Sequence, residues 1–208
     1  MKERVLERLF GSASRVKIIR LFFLNPDMFF DIKEISRRTR VALPSARREI
    51  LLLKSVGFVT QKEEKIDDII KLKNGKIKNI RKKIHGLRLN MSFPFFRSLK
   101  SLVVDTVPID NERLIKMLSS VGRMKLAILS GIFIQSEDSR TDLFLVGDAI
   151  KKAVLQKVLK NIEAEIGKEL VFAVLSTKEF LYRFGMYDKF VRDVLDYPHE
   201  KLINKLNV

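Results

Sequence analysis

The sequence predicts an α+β protein of two compact halves, and three observations carry that expectation. At 208 residues the chain is long enough for two domains of ordinary size, and 46% apolar residues suffice to fill real cores. The N-terminal half reads as helices followed by a long hairpin. The C-terminal half alternates strands with helices, an α/β or α+β arrangement. Charge divides at the same place. Residues 1–104 hold 25 Lys and Arg against 10 Asp and Glu, a net +15, whereas residues 105–208 hold 16 against 15, a net +1. Enrichment for solubility alone would not partition this way, so the excess points to a polyanionic partner for the N-terminal half.

Met1 to Phe10 sets Val5, Leu6, Leu9 and Phe10 on one helical face before Gly11. That helix is either a dimer contact or packs only on its own domain. Ser12 or Ser14 caps a second helix through Val16, Ile19, Leu21, Phe22, Phe23 and Leu24, which Asn25-Pro26-Asp27 stops. Met28-Phe29-Phe30 reads as a short strand. Asp31 caps the next helix, whose apolar stripe is Ile32 and Ile35, with Arg37, Arg38 and Arg40 at its end. Val41, Ala42, Leu43 and Pro44 form a turn, Pro44 suiting a helix's first turn. A further helix then buries Ala46, Ile50 and Leu53 at i, i+4 and i+7. Gly57 ends it where a left-handed C-cap is needed, and Phe58-Val59 begins a strand.

With Ala46, Ile50 and Leu53 inward, Ser45, Arg47, Arg48 and Lys54 point mostly to solvent, three of them in or beside the first turn. Beyond Val59, Asn74-Gly75 is a strong hairpin signal, because both central residues of a type I′ turn need positive φ. Lys71, Lys73, Lys76 and Lys78 alternate around it with Ile70, Leu72, Ile77 and Ile80, and Arg81, Lys82 and Lys83 follow. Residues 58–90 therefore read as a long basic hairpin, and Phe93 to Val104 as an apolar helix that closes the first core.

The run PSARREILLLKSVGFV resembles the recognition helix and exit of winged helix-turn-helix domains of bacterial and archaeal regulators, particularly the ArsR-like and MarR-like repressors. The similarity spans roughly residues 12–104. It implies that the helix after Pro44 enters a major groove with its first turn, where arginine forks onto guanine or clamps phosphate. It also implies that the hairpin is a wing against the backbone or minor groove. The expected DNA-binding residues are Arg37, Arg38, Arg40, Ser45, Arg47, Arg48, Lys54, Lys71, Lys73, Lys76, Lys78, Arg81, Lys82 and Lys83.

Asp105 to Asp110 reads as a linker between a domain of residues 1–104 and one of residues 111–208. A helix over 112–121 precedes strands at Met124–Leu129 and Asp142–Val146. A long helix is expected from Asp148 to Ile166, a strand at Glu169–Leu175, and a helix from Ser176 with capping-box spacing to Glu179. The tail reads as helix, break and a final short element. The stretches LSGIF, SRTDLFLVGD, ELVFAVLSTKEF and DKFVRDVLDYPHEKLI resemble, in order and spacing, the minimal nucleotidyltransferase fold, an α/β domain with a mixed sheet. That resemblance implies a phosphate-cradling Gly-Ser pair and two metal-binding carboxylates. Here the pair reads Ser130-Gly131, reversed. Asp142 matches the second carboxylate, but Arg140 stands where the first would be. One carboxylate beside an arginine does not make the metal site that nucleotidyl transfer needs. Ser130, Gly131, Arg140 and Asp142 are therefore expected to be a vestigial nucleotide site, with Glu137 or Asp138 as substitute carboxylates only in an active enzyme.

The chain contains no cysteine, which excludes disulfides, thiolate zinc sites and a thiol nucleophile. His85 and His199 have no ligand spacing around them, so neither a metal nor a cofactor is expected. No apolar run approaches the length of a membrane span and the N-terminus is no signal peptide, so a soluble cytoplasmic protein is expected. The functional expectation is a homodimeric DNA-binding transcriptional regulator on double-stranded DNA. Its catalytically silent second domain would serve dimerisation, partner binding or nucleotide sensing. An active nucleotidyltransferase and a non-specific nucleic-acid-binding architectural protein are the alternatives.

Overall fold

A computed structural model describes residues 3–71, 77–104, 110–136 and 138–208, and their side chains except at 3, 4, 64–71 and 77–84. The expected linker at 105–110 lies outside these residues but for Asp110, as do the Asn74-Gly75 turn and Glu137. The chain is α+β and divides into two compact units, Arg4–Val104 and Asp105–Val208. No helix of the described residues is long and apolar enough to cross a membrane.

The first unit is built around α2 (Ala13–Leu24), whose Val16 and whole run Ile18 to Phe23 are buried. A helix apolar on nearly every face must be surrounded, and α1 (Glu3–Leu9), α3 (Ile32–Thr39), α4 (Leu43–Ser55) and α5 (Phe96–Val104) accompany it. Ser12 caps α2 by accepting from the Arg15 N–H at 3.2 Å. Asp31 caps α3 by accepting from the Glu34 N–H at 2.7 Å. The core is largely phenylalanine: Phe58 meets Phe22, Phe23 and Phe93 edge-on at centroid distances of 6.3, 5.1 and 5.6 Å, a favoured aromatic geometry. The buried Arg20 is carried there by its Nε donating to the Val103 carbonyl at 3.1 Å.

Strands β1 (Val59–Lys71) and β2 (Ile77–Leu89) pair antiparallel from Val59↔Leu89 to Lys71↔Ile77. Their inner end is sunk in the core through Val59, Leu87 and Leu89. Three expectations change here. Met28–Phe30 is not a strand: only Phe30 bridges Leu87, with N–H···O bonds of 3.0 and 2.8 Å each way. Leu43 and Pro44 belong to α4 rather than to the turn, which shrinks to Arg40, Val41 and Ala42 with Arg40 left-handed at φ 54°. The last helix of this unit starts at Phe96, after two tight turns in which the Phe93 N–H bonds the Asn90 carbonyl and the Phe96 N–H the Phe93 carbonyl.

In the second unit a four-stranded mixed sheet runs β5-β4-β3-β6. β3 (Arg123–Leu129) is antiparallel to β4 (Leu143–Asp148) and to β6 (Glu200–Asn204), and β4 is parallel to β5 (Phe172–Leu175). Leu126, Ile128, Phe144 and Val146 turn to one face, under Phe180 of α8 (Thr177–Gly185) and Val191 and Val194 of α9 (Lys189–Asp196). On the other face, by the period-two rule, lie Ala127, Leu129, Leu143 and Leu145, on the side of α6 (Asn111–Ser119) and α7 (Lys152–Ile166). The long helix begins at Lys152, not Asp148, because β4 runs on through Asp148 and Ala149 turns the chain at φ 53°. The expected strand from Glu169 narrows to Phe172–Leu175. The final short element is β6, a strand added beside β3.

Candidate nucleic-acid interface

What α4 buries decides what it shows. Ala46, Glu49, Ile50 and Leu53 turn inward, which leaves Arg47 and Arg48 exposed in the first two turns and Ser45 half-buried beside them. Among the described residues, no hydrogen bond or ion pair ties down either arginine. The helix ends in a left-handed closure: Gly57, at φ 77°, donates to the Lys54 carbonyl at 3.0 Å and Phe58 to the Leu53 carbonyl at 2.9 Å, the Schellman pattern.

Glu49 is the functional neighbour that pattern reading missed. It is 3% exposed, with Oε1 accepting from Ser12 Oγ and Oε2 from Arg15 Nε, both at 2.8 Å. Burial pushes its carboxyl up. The hydrogen bonds from Ser12 and Arg15, with the charges of Arg15 and Arg48, outweigh that and hold it below its ordinary 4.5. A buried carboxylate stays charged only with such partners, so this link fixes how α4 is rotated against α2. A signal was present: position 49 falls on the 46–50–53 stripe, where a glutamate needs a reason.

The other expected cations divide. Arg37 donates through Nε and Nη2 to Glu34 at 2.9 and 2.6 Å, and Arg38 through Nε at 2.6 Å. The Arg37 bond, against a smaller burial effect and with Arg38 assisting, holds the Glu34 carboxyl low. Arg38 is half-buried, its guanidinium 5.4 Å from the centre of the Phe30 ring, so it helps hold α3 in place. Arg40 is exposed at the α3–α4 turn. Lys54 reaches Gln61 Oε1 at 2.7 Å, tying α4 to β1. Between α4 and the hairpin lies a groove of about 380 Å³, lined in part by Arg47, Leu51, Lys54, Gln61 and His85. Lys71, Lys78, Arg81, Lys82 and Lys83 are placed on the ladder by backbone alone, and Lys73 and Lys76 lie outside the described residues.

At the β3–β4 corner the structure brings Ser130, Gly131 and Asp142 together and turns Arg140 away. Ser130 N–H donates to the Asp142 carbonyl at 2.9 Å, and its hydroxyl to the Thr141 carbonyl. The Asp142 carboxylate accepts from the N–H of Ile132 at 2.9 Å and of Val171 at 2.8 Å. Gly131 sits at φ 53° with its Cα against that carboxylate, leaving no room for a Cβ. Arg140 pairs through Nε with Asp193 of α9 at 2.6 Å. The Asp142 oxygens thus hold the loop after β3 to the start of β5. Compared with family models, with curated proteins and with solved structures, the chain matches none.

Proposed function

We propose that this chain is a DNA-binding transcriptional regulator. Its first unit would act as a winged helix-turn-helix, with α4 as the recognition helix and β1–β2 as the wing. The observation that carries the reading is the pair Arg47 and Arg48, exposed and, among the described residues, without a hydrogen bond or ion pair, on the first turns of a helix whose inward face is held by Glu49. A reading arginine must be free before binding yet mounted on a fixed frame. The net +15 of residues 1–104 supplies the sequence-independent attraction to phosphate.

The second unit is proposed as a nucleotidyltransferase-like scaffold without the chemistry. Two-metal transfer needs paired carboxylates free to bind cations, whereas Asp142 accepts two backbone N–H groups and Arg140, at the position of the other carboxylate, pairs with Asp193. Its roles are dimerisation, partner binding or sensing, with no cofactor required. Val5 and Leu9, 62% and 68% exposed on α1, are apolar surface that a second copy would cover.

Genomic duplex fragments selected by the full-length protein test the reading. A shared sequence should emerge, and log affinity should fall with log salt by about 0.9 per neutralised phosphate. Equal affinity for every duplex at fixed salt would replace the regulator with the architectural alternative. Labelled nucleotide with Mg²⁺ should give no transfer to protein or hydroxyl acceptors. Transfer that disappears in Asp142→Ala would overturn the scaffold reading.

A further inference from the structure

A second cleft in the C-terminal unit, of about 460 Å³, lies between α7 and the exposed edge strand β5. It extends along β5 from Phe172 to the carboxyl ends of the parallel pair β4 and β5, at the end of β4 opposite Asp142. In open parallel α/β sheets ligands sit beyond the carboxyl ends of the strands; β4–β5 is the parallel pair of this mixed sheet, and the volume is within the roughly 300–1,000 Å³ of small-molecule sites.

The lining states what would fit. Ile150, Leu155, Phe172, Val174 and Leu175 make apolar walls. Of the four polar side chains, two are engaged elsewhere. Asp148 accepts from the Thr177 N–H at 3.2 Å and the Thr177 hydroxyl at 2.8 Å, and Ser176 caps α8 by accepting from the Glu179 N–H at 3.1 Å. Lys152 and Gln156 line the cleft one helical turn apart. Neither is held by a hydrogen bond or ion pair among the described residues. Among the described residues, the charged side chain of the lining that is left without a partner is thus a cation. Lys151 and Lys152 also open α7 with no acid in its first turn, where the helix dipole disfavours positive charge. Helix stability does not explain them.

We propose that this cleft binds a small monocarboxylate with an apolar, ring- or chain-like body. The carboxylate sits at Lys152, the body lies along Phe172, Val174 and Leu155, and the Gln156 amide takes a polar substituent. A single lysine without an ion pair suits a single negative charge, and the Asp148 carboxylate in the same lining disfavours a polyphosphate. The assignment is independent of DNA binding.

Calorimetry on the full-length protein tests it with benzoate, phenylacetate, indole-3-acetate and octanoate, with phenylacetamide and inorganic phosphate as controls. At least one carboxylate should saturate in the roughly millimolar range or tighter, with phenylacetamide and phosphate weaker by about tenfold or more. Lys152→Met should weaken the best carboxylate about tenfold, and Phe172→Ala should weaken it while leaving the carboxylate-over-amide ratio unchanged. Lys157→Met, on the same helix but outside the lining, should change nothing. Lys152 is exposed, so its substitution leaves the fold intact, and the melting temperature checks this. No saturation by any of the four acids, equal binding of phosphate, or unchanged affinity in Lys152→Met each overturns the proposal.

Discussion

The first turns of α4 and the β3–β4 corner both gather polar groups at a place where chemistry was expected, and they treat them in opposite ways. On α4 the buried carboxylate of Glu49 takes all the internal bonding, from Ser12 and Arg15, and the arginines beside it are left open. At the corner Asp142, Ser130 and Arg140 are bound up within the unit, although the buried Ser139 Oγ and Thr141 Oγ1 beside them have no hydrogen-bond partner among the described residues. A surface meant for a partner keeps its polar groups unsatisfied by the protein, in water until the partner arrives.

Gly131→Ala should break this contrast most sharply. A Cβ there meets the Asp142 carboxylate in a left-handed backbone, so a loss of about 3 kcal/mol or more is expected in chemical denaturation. A neutral result would mean the corner is open enough to hold a ligand. Glu49→Ala comes next, at roughly 2–3 kcal/mol, since it strands Arg15 and Ser12 half-buried; Glu49→Gln, which keeps an acceptor, should lose less. Arg47→Ala and Arg48→Ala should cost roughly 1–3 kcal/mol of DNA binding and relax preference at single base pairs. Their unfolding should shift by no more than about 0.5 kcal/mol, and a larger shift would show that these arginines are structural after all.

The smallest effect is on pH. Glu34 and Glu49 both sit below their ordinary 4.5 in the folded chain. Their contribution is complete above that value and is lost as pH falls through the folded pKa. The first unit should therefore begin to lose stability on acidification below about pH 4.5, and Glu49→Gln should flatten that slope. Asp148, held low chiefly by its Thr177 hydrogen bonds from an ordinary 3.8, should give way at more acidic pH. Near-ultraviolet or fluorine signals placed in each unit would separate the two transitions.

Local chemistry was legible and distant pairing was not. Asp31, Ser176 and Gly57 mark helix ends where caps belong, and the 46–50–53 stripe oriented Arg47 and Arg48 correctly from sequence alone. By contrast, nothing local in EKLIN says that it lies beside β3, more than seventy residues earlier in the chain. Likewise, an aspartate heading a strand looks solvated until Val171 is known to reach it. Glu49 falls between these cases: its place on an apolar stripe raised the question, and only the fold supplied Ser12 and Arg15 as the answer.

The hairpin has a further consequence, in the units of the duplex itself. Its core-anchored end reaches about as far as Gln61, and the ladder continues through the ten paired positions from Lys62 to Lys71 without a register shift. At about 3.4 Å per residue that is roughly 34 Å, the length of one turn of B-form DNA. If α4 reads one major-groove segment, the hairpin is long enough to measure off the next turn. Cleavage protection should then run some ten base pairs past the bases that Arg47 and Arg48 touch, on one side only for each copy bound.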